Sequence, residues 1–356
     1  MVALNNSPSQ LTVAIDTETE LIAPGKLAPR LVCVSYAFWS YSTNSIVSGL
    51  LKEREDIAKN IKQWLTGASE YHKAVTIVGH NTAYDMAVLA AYDPELLPLI
   101  FKAYELENIE DTQLVEQLLD IANGTFWRKR KAGGYTLKTL SENRLGLNLS
   151  KDEDSYRLRY GELIDTPLAE WPKAATDYAI GDAEATYKVF LDQKPAPNSR
   201  AQAAAAWALH LMSCWGVVTC PSAVNKFTSE VSELMSTRRA ELIKSGVLRE
   251  NGSKDLAVVR QRVVQAVGTN VKKTAKGNIS TDEETLTSTG DPDLKLLVEF
   301  SKAQKLDSVW GRYLKQGTNK ATPVQASFHC LVESGRTSCS KPNLQNPHRA
   351  LSLIHI

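Results

Sequence analysis

The stretch Leu11-Thr-Val-Ala-Ile-Asp-Thr-Glu-Thr-Glu-Leu21 decides the fold of the first half of the chain. Its opening residues are apolar or β-branched, which predicts a β-strand. Side chains alternate between the two faces of a strand, so Asp16 and Glu18 should point one way while Ile15 and Thr17 point the other. Two carboxylates on one face repel each other unless a cation neutralises them, and oxygen ligands of this kind suit Mg²⁺ or Mn²⁺.

The sequence around this stretch mixes strand and helix patterns. Residues 31–38 and 75–78 are rich in β-branched and apolar residues and predict two further strands. Apolar residues at helical spacing predict four helices, which cover 53–66, 82–91, 112–121 and 172–191. This mixture predicts a layered α/β domain.

Two more polar clusters follow in a fixed order. Asn81-Thr-Ala-Tyr-Asp85 comes directly after the strand at 75–78, so Asp85 should lie at the start of a helix on the same sheet edge. Tyr178 and Asp182 lie four residues apart in a predicted helix, which places both on one face. Each cluster alone has an ordinary explanation. An Asp-x-Glu pattern is commonly a strand that runs into an acidic loop, and a helical Tyr-x-x-x-Asp is commonly a core tyrosine beside a solvated acid.

The combination is far more specific than its members. Four acids and one tyrosine in this order resemble the DEDD superfamily of 3′ to 5′ exonucleases, in the subclass whose third motif carries tyrosine, and the resemblance covers residues 11–193. It implies a ribonuclease H-like α/β fold with a mixed central sheet. It also implies two divalent cations, Mg²⁺ or Mn²⁺, and hydrolysis of a terminal phosphodiester that releases a nucleoside monophosphate.

The resemblance also implies a role for each residue of the three clusters. Asp16 would bridge the two cations. Glu18 and Asp182 would hold the first cation, and Asp85 would support the second through water. Tyr178 would orient the attacking water. These five residues are the predicted catalytic set, and the four acids are the predicted metal ligands.

Two residues near the second cluster are expected to have structural roles. Asp111, followed by threonine, resembles a recurrent Asp-Thr of such exonucleases, and a helix N-cap explains an aspartate there at least as well. His80 is interpreted as a structural neighbour of the site rather than as a ligand.

The segment Phe126-Trp-Arg-Lys-Arg-Lys131 joins two aromatic residues to four consecutive cations. A run of charges is usually only a solvated loop, but in an exonuclease a flexible basic loop is an equally good candidate for contacting phosphates. We therefore predict a flexible loop here. The predicted DNA contacts of the first half are Arg128, Lys129, Arg130 and Lys131, together with Asn81.

A change of pattern follows the first half. Residues 194–199, Lys-Pro-Ala-Pro-Asn-Ser, predict a linker. Beyond it the strand signal disappears, and apolar spacing predicts helices that cover 200–212, 223–244, 255–267 and 293–314. A strand signal returns at 324–332, which predicts a strand with an unpaired edge there.

Residues 272–286 resemble the thumb region of family A DNA polymerases. The segment begins as a basic loop and ends as the start of a helix, where Ser280 and Glu283 have the spacing of a capping box. By this resemblance, Lys272 and Lys273 would grip phosphates of duplex DNA.

Residues 333–347 resemble the segment of family A DNA polymerases in which the thumb meets the palm. By that resemblance Arg336 would contact the minor groove at the primer terminus, with Asn343 and Gln345 nearby. Acceptors common to all base pairs lie in that groove, so such contacts check geometry without reading sequence.

The polymerase resemblance predicts a domain organisation. It comprises an exonuclease domain at 1–193, a linker at 194–199, a helical thumb region at 200–322, the start of a palm at 323–350, and an ending at 351–356 that resembles a translated sequencing adapter. The later palm and finger motifs of polymerisation do not occur, so we expect a truncated fragment that cannot polymerise alone. Because Met1 lies directly before the first acid cluster, we expect no upstream 5′ nuclease, and in this respect the chain resembles phage polymerases more than the bacterial repair enzyme.

Bulk composition leaves the partner open. The 356 residues include 41 basic and 40 acidic ones, and a net charge of +1 neither demands nor excludes a polyanion. Five scattered cysteines without a Cys-x-x-Cys pair suit a reducing cytoplasm. No signal peptide and no apolar run near the ~20 residues of a bilayer span is visible, so we expect a cytoplasmic protein, in the host cell if it is phage-derived, without a membrane partner.

The leading hypothesis is a proofreading exonuclease whose partners are single-stranded DNA 3′ ends and primer-template DNA, with any processivity factor unidentified. One alternative is a stand-alone RNA exonuclease of the ribonuclease D type, which would leave Arg336 and residues 343–346 unexplained. The other is a non-catalytic primer-template binding module, which would release no nucleotides with Mg²⁺ or Mn²⁺.

Overall fold

A computed structural model describes residues 10–67, 74–149, 156–268 and 271–347. The predicted tail at 351–356 lies outside the described residues. The chain divides into two compact units: unit 1 comprises Met1–Gly216 with Gln325–Lys341, and unit 2 comprises Val217–Val324 with Pro342–Ile356. This division by contacts does not follow the five predicted regions, whose boundaries stay a prediction.

Unit 1 contains the sheet that the sequence predicts. Over its described residues five strands occur in the order β3-β2-β1-β4-β5. They are β1 (Gln10–Thr19), β2 (Leu31–Ser40), β3 (Ser45–Leu51), β4 (Ala74–Gly79) and β5 (Ile109–Asp111). Strands β1, β2 and β3 pair antiparallel, whereas β4 pairs parallel with both β1 and β5. The sheet is therefore mixed, which confirms the predicted fold class.

Strand β1 forms the centre of this sheet. Val13, Ala14 and Ile15 are all completely buried, as expected for a strand that is covered on both faces. Its register with β2 places Asp16 opposite Ser35 and Glu18 opposite Cys33. The pairing shifts directly after Glu18, so the regular ladder ends at the last acid of the first cluster.

Eight helices accompany the sheet in the described part of unit 1. They are α1 (Arg54–Thr66), α2 (Thr82–Tyr92), α3 (Leu96–Glu105), α4 (Thr112–Ala122), α5 (Phe126–Lys131), α6 (Leu137–Leu145), α7 (Lys173–Asp192) and α8 (Ser199–Trp215). The four helices predicted for the first half are α1, α2, α4 and α7, and their ends agree with the prediction within one residue. The short elements α3, α5, α6, β3 and β5 were not predicted.

Helix α7 packs across β1 and β2. Its residues Ala175, Ala179 and Ala183 recur every four positions and are completely buried. Residues at this spacing share one face of a helix, and side chains of a single methyl group let the helix backbone approach the sheet closely. Polar residues of α7 are thereby brought near the acids of β1.

The basic segment at 126–131 corrects a prediction. It is helix α5 rather than a flexible loop. The physical reason lies in its first residue, because Phe126 is buried and packs against Tyr135 with ring centroids 5.7 Å apart. Burying a ring at the start of the segment fixes its backbone, which four neighbouring cations alone would not do.

Unit 2 is helical over its described residues. Its helices are α9 (Pro221–Lys244), α10 (Leu256–Val267), α11 (Glu283–Ser288), α12 (Pro292–Leu306) and α13 (Arg312–Gly317). The helix predicted at 293–314 is interrupted by a π-helical turn at Asp307–Gly311. The predicted capping box is wrong in detail. Asp282 caps α11 by accepting from the Thr285 N–H at 2.9 Å, while the Ser280 hydroxyl accepts from the Asp282 N–H.

The strand predicted at 324–332 is also shorter than expected. Strand β6 (Ser327–His329) pairs antiparallel with β7 (Ser338–Ser340) in unit 1. The predicted unpaired edge is therefore partly wrong, because β7 satisfies one side of β6. The apolar residue after this strand, Leu331, is buried in the main core instead of extending the strand. No described helix is long and apolar enough to cross a membrane.

Asp111 joins the starts of two helices. Its Oδ1 accepts from the backbone N–H groups of Gln113 at 2.8 Å and Leu114 at 3.2 Å, which confirms the predicted N-cap of α4. The same carboxylate accepts from the N–H of Asn81 at 3.2 Å and that of Thr82 at 2.9 Å, at the start of α2. One buried side chain thus fixes the position of the helix that carries Asp85.

We expect Asp111→Ala to lower the local stability of α2 and α4 by about 2–4 kcal/mol, because four backbone donors lose a buried acceptor. Amide hydrogen exchange over both helices measures this loss. Asp255→Ala is the matched control, since Asp255 caps α10 through only two N–H groups at a half-buried site. Its expected effect is about 1 kcal/mol. Equal effects in the two variants would contradict the linking role of Asp111.

Candidate active site

Three carboxylates from two elements meet beside the sheet. Asp16 and Glu18 come from β1 and Asp182 comes from α7, and one oxygen of each lies within 4.8 Å of the others. Glu18 and Asp182 are buried, whereas Asp16 is half-buried. The alternation of β1 brings the first two together, and the close packing of α7 adds the third.

The cluster concentrates negative charge in a poorly solvated place. Its field reaches Cys33, where burial raises the thiol pKa well above its usual value and the charges of Glu18 and Asp16 raise it further. Three carboxylates with only oxygen donors form the kind of site that hard divalent cations bind. The donor set of this chain therefore fits Mg²⁺ or Mn²⁺.

Asp85 lies outside this group of three. Its Oδ1 accepts a hydrogen bond from the Thr17 backbone N–H at 3.0 Å and another from the Thr17 hydroxyl at 2.6 Å. Burial raises the pKa of Asp85 to about 7, and the two bonds from Thr17 oppose this rise. The structure therefore groups three of the four acids that were predicted to act together. The fourth, Asp85, binds instead to Thr17, which lies between Asp16 and Glu18 in the sequence.

Tyr178 lies one turn before Asp182 on α7 and is half-buried. Burial raises its pKa above the usual value, the charge of Asp182 adds to the rise, and a hydrogen bond with Asp182 acts in the same direction. The phenol therefore stays protonated at neutral pH. The sequence predicted that Tyr178 and Asp182 share one face of a helix, and their hydrogen bond agrees with this.

Asn81 and His80 lie at the start of α2. Asn81 has a left-handed backbone with φ of 67°, and its side chain is exposed. His80 forms hydrogen bonds through Nδ1 with the Thr112 hydroxyl at 2.9 Å and through Nε2 with the Tyr135 carbonyl at 3.0 Å. Both ring nitrogens are thus used within the fold, which agrees with a structural role for His80.

Helix α5 directs two of its four cations inward. The Lys129 ammonium contacts the buried Asp120 at 2.8 Å. Arg130 donates from Nη1 to the Leu331 carbonyl at 3.1 Å, and its guanidinium lies 5.6 Å from the Phe126 ring centroid. Lys129 and Arg130 thus hold parts of unit 1 together. Of the four cations predicted to contact DNA, only Arg128 and Lys131 remain directed away from the fold.

The opposite face of α5 is exposed. Trp127, Arg128 and Lys131 share this face because positions three and four apart are neighbours on a helix. The Trp127 side chain is 48% exposed, and neither Arg128 nor Lys131 forms an ion pair with another described residue. An aromatic ring beside two cations is a combination that can bind a single nucleic-acid strand.

A cavity of about 360 Å³ begins beside Asn81 within unit 1. Helices α2, α4 and α8 and strand β6 contribute to its wall, together with Arg130. Among the described residues that line it, none is an aspartate or a glutamate. The volume lies in the ~300–1,000 Å³ range of small-ligand sites, and the lining is compatible with an anionic or neutral polar group.

The remaining predicted DNA contacts lie in other segments. Lys272 of unit 2 pairs with Asp282 at 2.7 Å and with Glu284 at 3.4 Å. Lys273, Asn343 and Gln345 are exposed in unit 2, and Arg336 is exposed in unit 1. Their roles in DNA binding stay predictions.

The sequence did not lead us to predict two residues of the site, Thr17 and Tyr160. Thr17 was expected only to point away from the two acids, and that orientation is what lets it bind Asp85. Tyr160 is completely buried, and its ring centroid lies 6.2 Å from that of Tyr178. The alternation of β1 could have identified Thr17, whereas Tyr160 lies far from Tyr178 in sequence and follows no periodic pattern.

We expect Thr17→Val to destabilise the cation-free protein by about 1–3 kcal/mol, because the buried Asp85 carboxylate loses its hydroxyl donor. Thr12→Val is the control: Thr12 is buried on the same strand, and its hydroxyl bonds to no other described residue. Denaturant unfolding in the presence of a chelator compares the two. An equal loss of stability in both variants would contradict the importance of the Thr17–Asp85 bond.

Known proteins resemble this chain in sequence and in fold. A family model described as a 3′-5′ exonuclease of the DNA polymerase A type matches residues 2–193. DNA polymerase I of Aquifex aeolicus (strain VF5) is 36% identical over 81 residues, which are 22% of this chain and 14% of that protein.

A solved structure, the POL domain of Pol1 from M. smegmatis in complex with DNA primer-template and dNTP, has the same fold at a TM-score of 0.58. The sequences are 17% identical, and the match covers 98% of this chain and 54% of that one. The chain thus spans about half the length of this structural relative. Because the family model covers more than half of the chain, the chain belongs to the family of 3′-5′ exonuclease domains of family A DNA polymerases.

Proposed function

We propose that the chain is a two-metal-ion 3′-5′ exonuclease that removes nucleoside monophosphates from DNA 3′ ends. It acts as the proofreading part of a family A DNA polymerase of phage-like type, and its site is of the tyrosine-containing DEDD subclass. One observation carries this proposal: one carboxylate oxygen each of Asp16, Glu18 and Asp182 lies within 4.8 Å of the other two, although the three residues come from two separate elements. Three buried or half-buried carboxylates this close together repel one another, and divalent cations would neutralise their charge.

Each acid has a role in holding the cations. Asp16 would contribute to the binding of both ions, while Glu18 and Asp182 would hold the first. Asp85 would support the second ion, which fits its position outside the group of three. When bound, two divalent cations activate a water for attack and stabilise the leaving 3′ oxygen.

Tyr178 orients the water that attacks the terminal phosphate. Its protonated hydroxyl can donate a hydrogen bond, and its contact with Asp182 places it beside the metal-binding group. A phenol with a raised pKa does not act as a base at neutral pH, so its contribution is orientation rather than proton removal.

The single strand reaches this site along unit 1. The cavity beside Asn81 provides polar groups without acidic ones, and the exposed face of α5 provides Trp127, Arg128 and Lys131. The aromatic ring can stack on a base while the two cations contact phosphates. Lys129 and Arg130, which are engaged within the fold, contribute indirectly by fixing α5.

The second half of the chain contacts the primer-template. We assign residues 1–193 to the exonuclease domain, 194–199 to a linker, 200–322 to a thumb region and 323–350 to the start of a palm. The contacts proposed there are Lys272, Lys273, Arg336, Asn343 and Gln345. The exposure of all five side chains supports this assignment.

We expect Asp182→Asn to slow Mg²⁺-dependent digestion of a 5′-labelled single-stranded DNA by at least about 100-fold, because one ligand loses its charge. Asp177→Asn on the same helix is the control. Asp177 is exposed and pairs with Lys173, so its rate should stay within about twofold of the unaltered chain.

Two further arms separate the proposal from its alternatives. Faster digestion of RNA than of DNA would favour a ribonuclease D-like activity. Binding of primer-template without nucleotide release in Mg²⁺ or Mn²⁺ would favour a binding module. Digestion that persists in the Asp16→Ala/Glu18→Ala double variant would contradict the site itself.

We expect Arg128→Ala/Lys131→Ala to weaken single-strand binding and to reduce the slope of log affinity against log salt by about 1.4, since each lost phosphate contact contributes about 0.7. Binding is measured by fluorescence anisotropy in a chelator, so that the strand stays intact. Lys102→Ala on α3 is the control, and its salt slope should match that of the unaltered chain because Lys102 is exposed and pairs with Glu105. An unchanged slope in the double variant would exclude this face from the binding path.

A further inference from the structure

A completely buried tyrosine lies directly beside the proposed catalytic one. Tyr160 begins a 3₁₀ turn at Tyr160–Leu163, and its side chain has no solvent exposure. Its ring centroid lies 6.2 Å from that of Tyr178 and 6.0 Å from that of Trp171. The Tyr178 ring, which is half-buried, therefore has a fixed aromatic wall on its inner side.

The hydroxyl of Tyr160 also holds the helix that carries Tyr178. It donates a hydrogen bond of 2.7 Å to the carbonyl oxygen of Ala175, in the first turn of α7 and three residues before Tyr178. Positions three apart lie on the same face of a helix. Tyr160 thus contacts α7 twice on one face, once through its hydroxyl and once through its ring.

The turn that carries Tyr160 is itself fastened to the sheet. Lys52 directly follows β3, and its ammonium donates to the carbonyl oxygens of Leu163 and Thr166. The same ammonium lies 5.3 Å from the Trp171 ring centroid. A cation that binds two carbonyls and an aromatic face can hold this turn in one place.

We infer that Tyr160 is a positioning residue for the reaction: it fixes the Tyr178 hydroxyl in the orientation that directs the attacking water. The inference rests on the proposed function, because it assigns a role to the residue behind Tyr178. Tyr160 is buried and cannot itself touch substrate. It acts through the ring contact and through the Ala175 bond, which set the direction of the Tyr178 side chain.

A role in general stability makes a different prediction from a positioning role. A core tyrosine that only stabilises the fold would, when altered, lower the amount of folded protein and leave the turnover of each folded molecule unchanged. A positioning residue lowers kcat of the folded molecules, because a small misplacement of an orienting group slows the chemical step. Substrate binding and cation affinity should stay the same, since neither the acids nor the strand contacts change.

The experiment uses the full chain with Mg²⁺ and single-stranded DNA, and compares Tyr160→Phe, Tyr178→Phe and the double variant. Tyr160→Phe removes only the hydroxyl that binds Ala175. We expect kcat to fall about tenfold while KM changes by less than about twofold. In the Tyr178→Phe background the same change should have no further effect, because the group that Tyr160 positions is already gone.

Tyr104→Phe is the matched control. Tyr104 is also a buried tyrosine, but its hydroxyl has no hydrogen-bond partner among the described residues. We expect its kcat to equal that of the unaltered chain. Circular dichroism melts of all variants establish that the rates refer to folded protein.

The outcomes distinguish the inference from the proposed function. Independent, multiplying losses in the double variant, or an unchanged kcat in Tyr160→Phe, would overturn the positioning role while the exonuclease proposal stands. Full activity of Tyr178→Phe would overturn the role proposed for Tyr178 and this inference with it. An unaltered chain that digests no DNA would overturn the proposed function.

Discussion

The candidate site depends on three like charges that packing forces together. Asp16, Glu18 and Asp182 repel one another, yet each is placed by an element that has little freedom to move away. The centre of β1 is buried on both faces, and α7 approaches it through a row of alanines. The apolar core thus holds a local arrangement that is unfavourable without cations, as is usual where stability is given up for function.

The sequence predicted the elements that have a long regular pattern. Strand β1 and helices α2 and α7 were identified by period, and the acids they carry followed from the alternation of a strand and the turn of a helix. Strand β3, the three-residue β5 and the short helices α3 and α6 were missed because they form through tertiary contacts. The position of Asp85 outside the three-carboxylate group also depends on packing, because its bonds to Thr17 join residues 68 apart in sequence.

In helix α5, the burial of one aromatic side chain determines which cations of a charged segment face solvent. Four cations in a row predict a solvated loop, and nothing in their order distinguishes one from another. Once Phe126 enters the core, the helical repeat assigns Lys129 and Arg130 to the inner side and leaves Arg128 and Lys131 outside. Which cations bind within the fold and which remain exposed is therefore determined by the fold and not by the order of the four residues.

Strand β1 uses both of its faces at the same three positions, with Asp16 and Glu18 on one side and Thr17 tied to Asp85 on the other. A change of side chain at any one position affects one contact. An insertion or deletion of a single residue upstream in β1 would exchange the two faces, turning both acids into the core and Thr17 towards the candidate metal site. Evolution of this exonuclease domain can therefore vary the residues of the strand far more freely than its length.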